Sequence, residues 1–338
     1  MTKKYITWIL VPAALFVLLI VSTMVSLSTG VADISFSNIF SILRQGEGME
    51  YFILTQIRIP RTLLAIAVGG SLGLAGAILQ GIFRNPLVEP YTLGISGGAA
   101  LGVAISIVAG LQISIGVFIL PIAGFAGAAI TILLVGMLGF FKGGADINRM
   151  LLIGVMISFL ASSLVMLLIS LTARDNMHGI IFWIMGSLDE PNMLLIGFAA
   201  IASILGLVFS YFFAHSLNAL RLGETKALSL GINSTYSIRV LFVFASLLAG
   251  ISVSVAGVIG FVGLIVPHIV RITVGSDYRI LLISSFIGGG IFLIISDIIA
   301  RTIIAPNELP IGVITGITGG ILFIAVMTNL KKRGKLEF

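Results

Sequence analysis

Ser71-Leu-Gly-Leu-Ala-Gly76, with Pro86 beyond it, is matched in step by Ser252-Val-Ser-Val-Ala-Gly257, with Pro267 beyond it. Both copies ride on apolar segments, Thr62 to Gly81 and Val240 to Ile259. A second pair follows in the same order, Ile153-Gly-Val-Met-Ile-Ser158 and Ile311-Gly-Val-Ile-Thr-Gly316. Runs of about 20 apolar residues recur along the chain, each long enough for a hydrocarbon core of about 30 Å. The repeats fall on the second and seventh of these runs, then on the fifth and tenth. Halves of five spans each must cross the membrane in opposite senses. The expected fold is an all-α polytopic membrane protein with about ten transmembrane helices in two inverted five-helix halves. The halves are 1–191 and 192–338 of a single transmembrane domain, 1–338. Inverted repeats are a recurrent architecture of transporters, with the pathway near the pseudo-symmetry axis.

Composition points the same way. Hydrophobic residues make up 58% and charged residues 9%, at mean hydropathy +1.20. A lipid-facing β-barrel would alternate instead of running continuously apolar. Gly at 40 of 338 residues suits helices that pack backbone to backbone. With no cysteine, disulfides, thiolate metal sites and cysteine redox chemistry are excluded. Net charge is +6, but it is spread over loops and forms no patch for nucleic acid. Lys3 and Lys4 precede the run from Ile6 to Leu27, which is longer than a signal-peptide core and reads as a retained first helix. With both termini cytoplasmic, only Arg44, Arg58, Arg61, Arg174 and Arg301 of 19 Lys and Arg fall outside. That bias fits the positive-inside rule and a multi-pass protein of the cytoplasmic (inner) membrane, surrounded by lipid.

Between the sixth and seventh spans lies Leu217-Asn-Ala-Leu-Arg-Leu-Gly-Glu-Thr-Lys-Ala-Leu-Ser-Leu-Gly-Ile-Asn233. It reads as two short helices broken at Gly223. Leu217, Leu220 and Leu222 lie near one face of the first, and Ala227, Leu228 and Leu230 near one face of the second. Gly231 is placed to end the second in a left-handed cap. A compact helical knob on the cytoplasmic side suits handing force to a soluble partner. The plainer reading is an amphipathic loop resting on lipid.

Small residues recur every four positions in the fifth and tenth spans, as Gly154, Ser158 and Ser162 and as Gly312, Gly316 and Gly320. Each stripe suits tight helix packing or the lining of a path for a bulky solute. No G-x-x-x-x-G-K-[ST] loop is present, so ATP binding by that route is excluded. Apart from Asp297 near a helix end, no carboxylate lies inside a span, which weighs against an ion-coupled secondary transporter. Paired carboxylates, H-E-x-x-H and nucleophile constellations are also missing from the spans, which weighs against a membrane enzyme. His178, His215 and His268 fall near loops, unclustered, and no metal site is expected.

Several stretches together resemble the FecCD family of permeases, which serve binding-protein-dependent ABC importers of iron-siderophores, haem and cobalamin. These are Arg58-Ile-Pro-Arg61, Gly76-Ala-Ile-Leu-Gln80, Asn85-Pro-Leu-Val-Glu-Pro90, Leu93-Gly-Ile-Ser96 and Leu222-Gly-Glu-Thr-Lys-Ala-Leu-Ser-Leu-Gly231. Gly260-Phe-Val-Gly-Leu-Ile-Val-Pro-His268 and Glu308-Leu-Pro-Ile-Gly312 complete the set. The resemblance implies a cobalamin-importer-permease-like fold without an ATPase site of its own. Residues 217–233, with Leu217, Leu220, Leu222, Gly223, Glu224, Ala227, Leu230 and Gly231, become the coupling helices that seat on the ATPase. Arg58, Arg61 and Arg301 match positions that dock an extracellular binding protein; for Arg301 a local pair with Asp297 is the alternative. Gly143, Gly144, Ala145 and Asp146 resemble a cytoplasmic gate, or form a tight polar turn. The implied partners are two ABC ATPase subunits carrying ATP and Mg, the binding protein, and a second permease copy or paralogue. Iron-siderophore is the expected cargo, with haem, cobalamin or an oxyanion as alternatives.

Overall fold

A computed structural model describes residues 2–30, 34–116, 118–140, 147–190 and 192–332. The described residues form helices and connecting turns, with no strand. In chain order the helices are α1 (Thr2–Ser28), α2 (Ile39–Gln45), α3 (Met49–Phe52), α4 (Ile59–Phe83) and α5 (Ile95–Val108). Then come α6 (Leu111–Ile115), α7 (Ile119–Gly139), α8 (Ile147–Leu171), α9 (Arg174–Met185) and α10 (Met193–Phe212). The second part holds α11 (Ala214–Leu220), α12 (Glu224–Ser229), α13 (Ser234–Ala256), α14 (Val262–Val274), α15 (Tyr278–Thr302) and α16 (Ile311–Lys332). Helices dominate because a segment in hydrocarbon must satisfy every backbone polar group within itself.

Among the described residues, 8 helices are long and apolar enough to cross a membrane. Two further apolar helices, α5 and α14, are shorter. They coincide with the third and eighth apolar runs, which in the sequence extend only from about Leu93 to Ala109 and from Gly260 to Arg271. At 1.5 Å per residue they cover roughly two-thirds of a bilayer core.

Helix α4 is the axis of the bundle and almost wholly buried, packed by α15, α13, α10 and α14. Its glycines explain how so many helices reach it. A Cβ on Gly69 would strike the Gly289 carbonyl of α15, and one on Gly76 would strike Gly263 of α14. Gly98 and Gly127 meet in the same way where α5 crosses α7. Lipid tails are as apolar as side chains, so close backbone approach replaces the hydrophobic effect as the source of attraction.

Helix α14 contains Pro267, which has no N–H to give to the Gly263 carbonyl one turn earlier. Gln80 of α4 fills the gap, donating from Nε2 to the Gly263 carbonyl at 3.2 Å and to that of Leu264 at 3.1 Å. Arg271 in turn donates to Gln80 Oε1 at 3.2 Å. The glycine contact of Gly76 and the Gln80 bonds thus lock α14 onto α4 at one level. Helices α1, α8, α10 and α16 expose long apolar faces, as lipid or a further membrane helix requires.

Gln80→Leu keeps the volume but leaves the Gly263 carbonyl, which Pro267 cannot serve, without a donor, a loss of about 1–3 kcal/mol. Thermal unfolding of the purified permease in detergent is expected to start earlier for Gln80→Leu than for wild type.

Candidate functional site

Two clusters occupy opposite ends of α4. At the α11–α12 end, α11 is docked on the turn between α14 and α15. Asn218 donates to Asp277 Oδ1 at 3.0 Å and accepts the Tyr278 N–H at 3.0 Å, while Arg221 donates to the Ser276 carbonyl at 2.7 Å. Leu217, Leu220 and Ala227 are buried beneath, with Leu217 close to Gly81 of α4. Leu222, Leu228 and Leu230 are 52%, 59% and 59% exposed. The leucines therefore divide, one set fixing the knob and the other offering apolar surface. Gly223 breaks the two helices at φ +104 and Gly231 follows the second at φ +78, both in the left-handed region that glycine enters cheaply. Glu224 is ion-paired with Arg84 at 3.2 Å. A cavity of about 340 Å³ lies between Asn218, Arg221, Leu222 and the 274–277 turn.

At the other end, Asp297 is buried at 1% exposure and faces two guanidinium groups. Arg61 Nε donates to Asp297 Oδ1 at 2.8 Å, and Arg301 Nε is paired with Oδ2 at 2.9 Å. Arg61 Nη1 also donates to Glu308 Oε2 at 2.8 Å, and the Glu308 side chain is half exposed. The remaining guanidinium groups close the end of α1. Arg58 Nη1 donates to the carbonyls of Leu27 and Ser28, and Arg301 reaches the Thr29 carbonyl and Ser26 Oγ. Carbonyls at a helix C-terminus have no intrahelical donor and carry partial negative charge, so cations suit them. Arg58, Arg61 and Arg301 are thus brought together and buried, each with partners inside the chain. The local Arg301–Asp297 pair is present. Glu308 was legible only as part of a motif; its link to Arg61 crosses from α4 to the α15–α16 connection.

The two small-residue stripes are used unevenly. Gly154 lies against the backbone of Leu93, and Gly312 against the carbonyls of Met185 and Val258. Ser158 is half-buried near Gly97, Ser162 is exposed, nothing lies near Gly316, and Gly320 only just meets Phe261. One end of each stripe packs and the rest stays open. Gly143, Gly144, Ala145 and Asp146 lie outside the described residues. Among the described residues no group of three His, Cys, Asp or Glu is placed to hold a metal ion.

The sequence matches the FecCD transport family over residues 18–329. The chain belongs to that family. It is 35% identical to the hemin transport system permease protein HmuU of Yersinia pestis, over 94% of this chain and 95% of that one. It is 34% identical to the vitamin B12 import system permease protein BtuC of Salmonella typhimurium, over 95% of both chains. A solved inward-facing conformation of a putative metal-chelate type ABC transporter superposes with TM-score 0.85 at 30% identity, covering 94% of this chain and 99% of that one. This FecCD member is a permease subunit of an ABC importer, a transport component and not an enzyme.

Asp297→Ala would strand the buried Arg61 and Arg301 charges, at a cost of about 3–5 kcal/mol. Low membrane yield and early unfolding are expected for Asp297→Ala, whereas Glu308→Gln, at a half-exposed position, leaves both near wild type.

Proposed function

We propose that this permease moves a metal chelate across the cytoplasmic membrane, as one of two permease subunits driven by two ABC ATPase subunits and fed by an extracellular binding protein. The observation that carries this is the knob: apolar Leu222, Leu228 and Leu230 face outward from a base tied to α4, α14 and α15. Such a surface is suited to burial against a soluble subunit, so that movement of that subunit displaces the bundle. ATP and Mg belong to that partner, and both termini of the permease lie on its side of the membrane.

Ten spans in two inverted halves are supported by how the helices pack. Helix α5 packs on α7 and α8, and α14 packs correspondingly on α15 and α16. Likewise α4 packs on α15 and α13 on α7. The first helices break the pattern, since α1 packs on α15 but α10 on α4 and α13. The pathway then runs along α8 and α16 beside the second permease copy, lined by the open parts of the stripes, Ser158, Ser162, Gly316 and Gly320. Residues 143–146 would close it on the cytoplasmic side.

At the outer end the arginine cluster holds three guanidinium groups against two carboxylates, an excess positive charge suited to an acidic face of the binding protein. Glu308 is the one partner of Arg61 that reaches solvent, and a docked carboxylate would replace it there. The cargo is best stated as a chelate class. The relatives named above carry hemin and vitamin B12 in their names, which favours the wider class over an iron-siderophore alone.

In proteoliposomes containing the permease and its ATPase, hydrolysis should depend on the permease and rise with loaded binding protein. Gly223→Trp or Leu228→Asp is expected to cut that stimulation about tenfold, equivalent to about 1.4 kcal/mol of coupling. Normal stimulation in both variants would overturn the knob reading. Glu308→Gln should tighten binding-protein association several-fold in surface plasmon resonance at low salt; unchanged affinity would leave the cluster a purely internal brace. Uptake of haem, cobalamin and a ferric siderophore, compared in the same vesicles, decides the chelate.

A further inference from the structure

Segment 84–94, between α4 and α5, contains a carboxylate to which the transport reading assigns no task. Its start is continuous with the end of α4, where Gly81 lies under Leu217 and Arg84 is ion-paired with Glu224. Arg84 closes α4 in the left-handed region at φ 49, and Asn85 with Pro86 turns the chain back. Glu89 sits at the cap position of the single turn Pro90–Leu93 but makes no cap bond there. Its Oε2 instead accepts the Phe261 N–H at 3.2 Å, and Tyr91 Oη accepts the Ile259 N–H at 3.5 Å. These groups belong to the break between α13 and α14. At the far end of the segment the Leu93 backbone fills the space over Gly154 of α8, where a Cβ would come within 2.7 Å of Leu93 Cα.

Phe261 is the other unusual residue. Among the described residues it is one of two non-glycine residues at positive φ, at 69°, a conformation that persists only where surroundings hold it. Its N–H is held by Glu89. Its side chain lies against Gly319 of α16, with the ring edge reaching Gly320. The segment therefore touches the knob at one end and reaches both pathway helices: α8 directly through Leu93, and α16 through Glu89 and Phe261.

We propose that residues 84–94 are the strap that makes α8 and α16 answer together to the knob, with Glu89 and Phe261 as positioning residues for the α16 branch. The proposal rests on the knob being the ATPase contact. Coupling is carried by packed contacts and hydrogen bonds that move as a unit. Removing the Glu89 acceptor frees the α13–α14 break, while glutamine at this position still offers a carbonyl to the Phe261 N–H. Removing the Phe261 ring takes away its ring contacts with Gly319 and Gly320 on α16 and leaves Leu93 against Gly154 of α8.

The chain contains no cysteine, so a single cysteine at exposed Leu152 of α8 or exposed Ile317 of α16 can carry a spin label. Collision accessibility is read in proteoliposomes with the ATPase, before and after ATP, alongside substrate transported per ATP. In wild type both labels should respond to ATP. In Glu89→Ala and Phe261→Ala the complex still hydrolyses ATP and the label at 152 still responds. The response at 317 and the transport per ATP each fall at least about threefold, and Glu89→Gln restores both. Unchanged responses in both alanine variants, or equal loss at 152 and 317, would overturn the strap. Silent labels in wild type would overturn the knob reading and the strap with it. If Glu89→Ala does not assemble, Phe261→Ala decides alone, because its predicted split between 152 and 317 is one that general destabilisation would not produce.

Discussion

Close backbone approach along α4 is the constraint on which the rest of the molecule depends. Gly69 against Gly289 and Gly76 against Gly263 set α15 and α14 on one rod. Packing at this distance leaves no room for a single added carbon. In lipid the attraction between helices comes from such contact and from hydrogen bonds, because apolar side chains gain nothing by leaving hydrocarbon. Helix α4 is thereby a rod fixed along its length. Its two ends bear the two candidate sites: Arg61 near the start, and Gln80, Gly81 and Arg84 near the finish.

The buried charges obey the same economy. Asp297 is nearly inaccessible, yet it is matched by Arg61 and Arg301, and the remaining donors of Arg301 reach the C-terminal end of α1. One carboxylate thereby fixes three helices. Glu308 differs because it is half exposed, which makes its bond to Arg61 the one most open to exchange. Structural bracing and the proposed docking are then not competing accounts of the arginines. The inner bonds hold the guanidinium groups in place, and the outer one ends on a half-exposed carboxylate.

At the other end, the leucines of the knob are divided by burial in a way that helical spacing did not show. Leu222 was grouped with Leu217 and Leu220 by position, but the break at Gly223 turns it outward. The same holds for the stripes on α8 and α16. Their four-residue spacing was plain, but whether a small residue packs or stays open depends on what crosses it. Leu93 covers Gly154, whereas nothing covers Gly316.

The all-helical membrane fold, the two short apolar segments, the break at Gly223 and the family were legible in the sequence. Apolar run length, glycine content and turn residues act locally, and the membrane permits few other backbones. Only the tertiary structure decided that Gln80 serves the carbonyl freed by Pro267, that Glu89 holds Phe261, and that Arg61 bridges Asp297 and Glu308. Each of these joins residues more than 150 positions apart. Their side chains can meet only after the glycines of α4 have brought the helices together, and no local pattern encodes that distance.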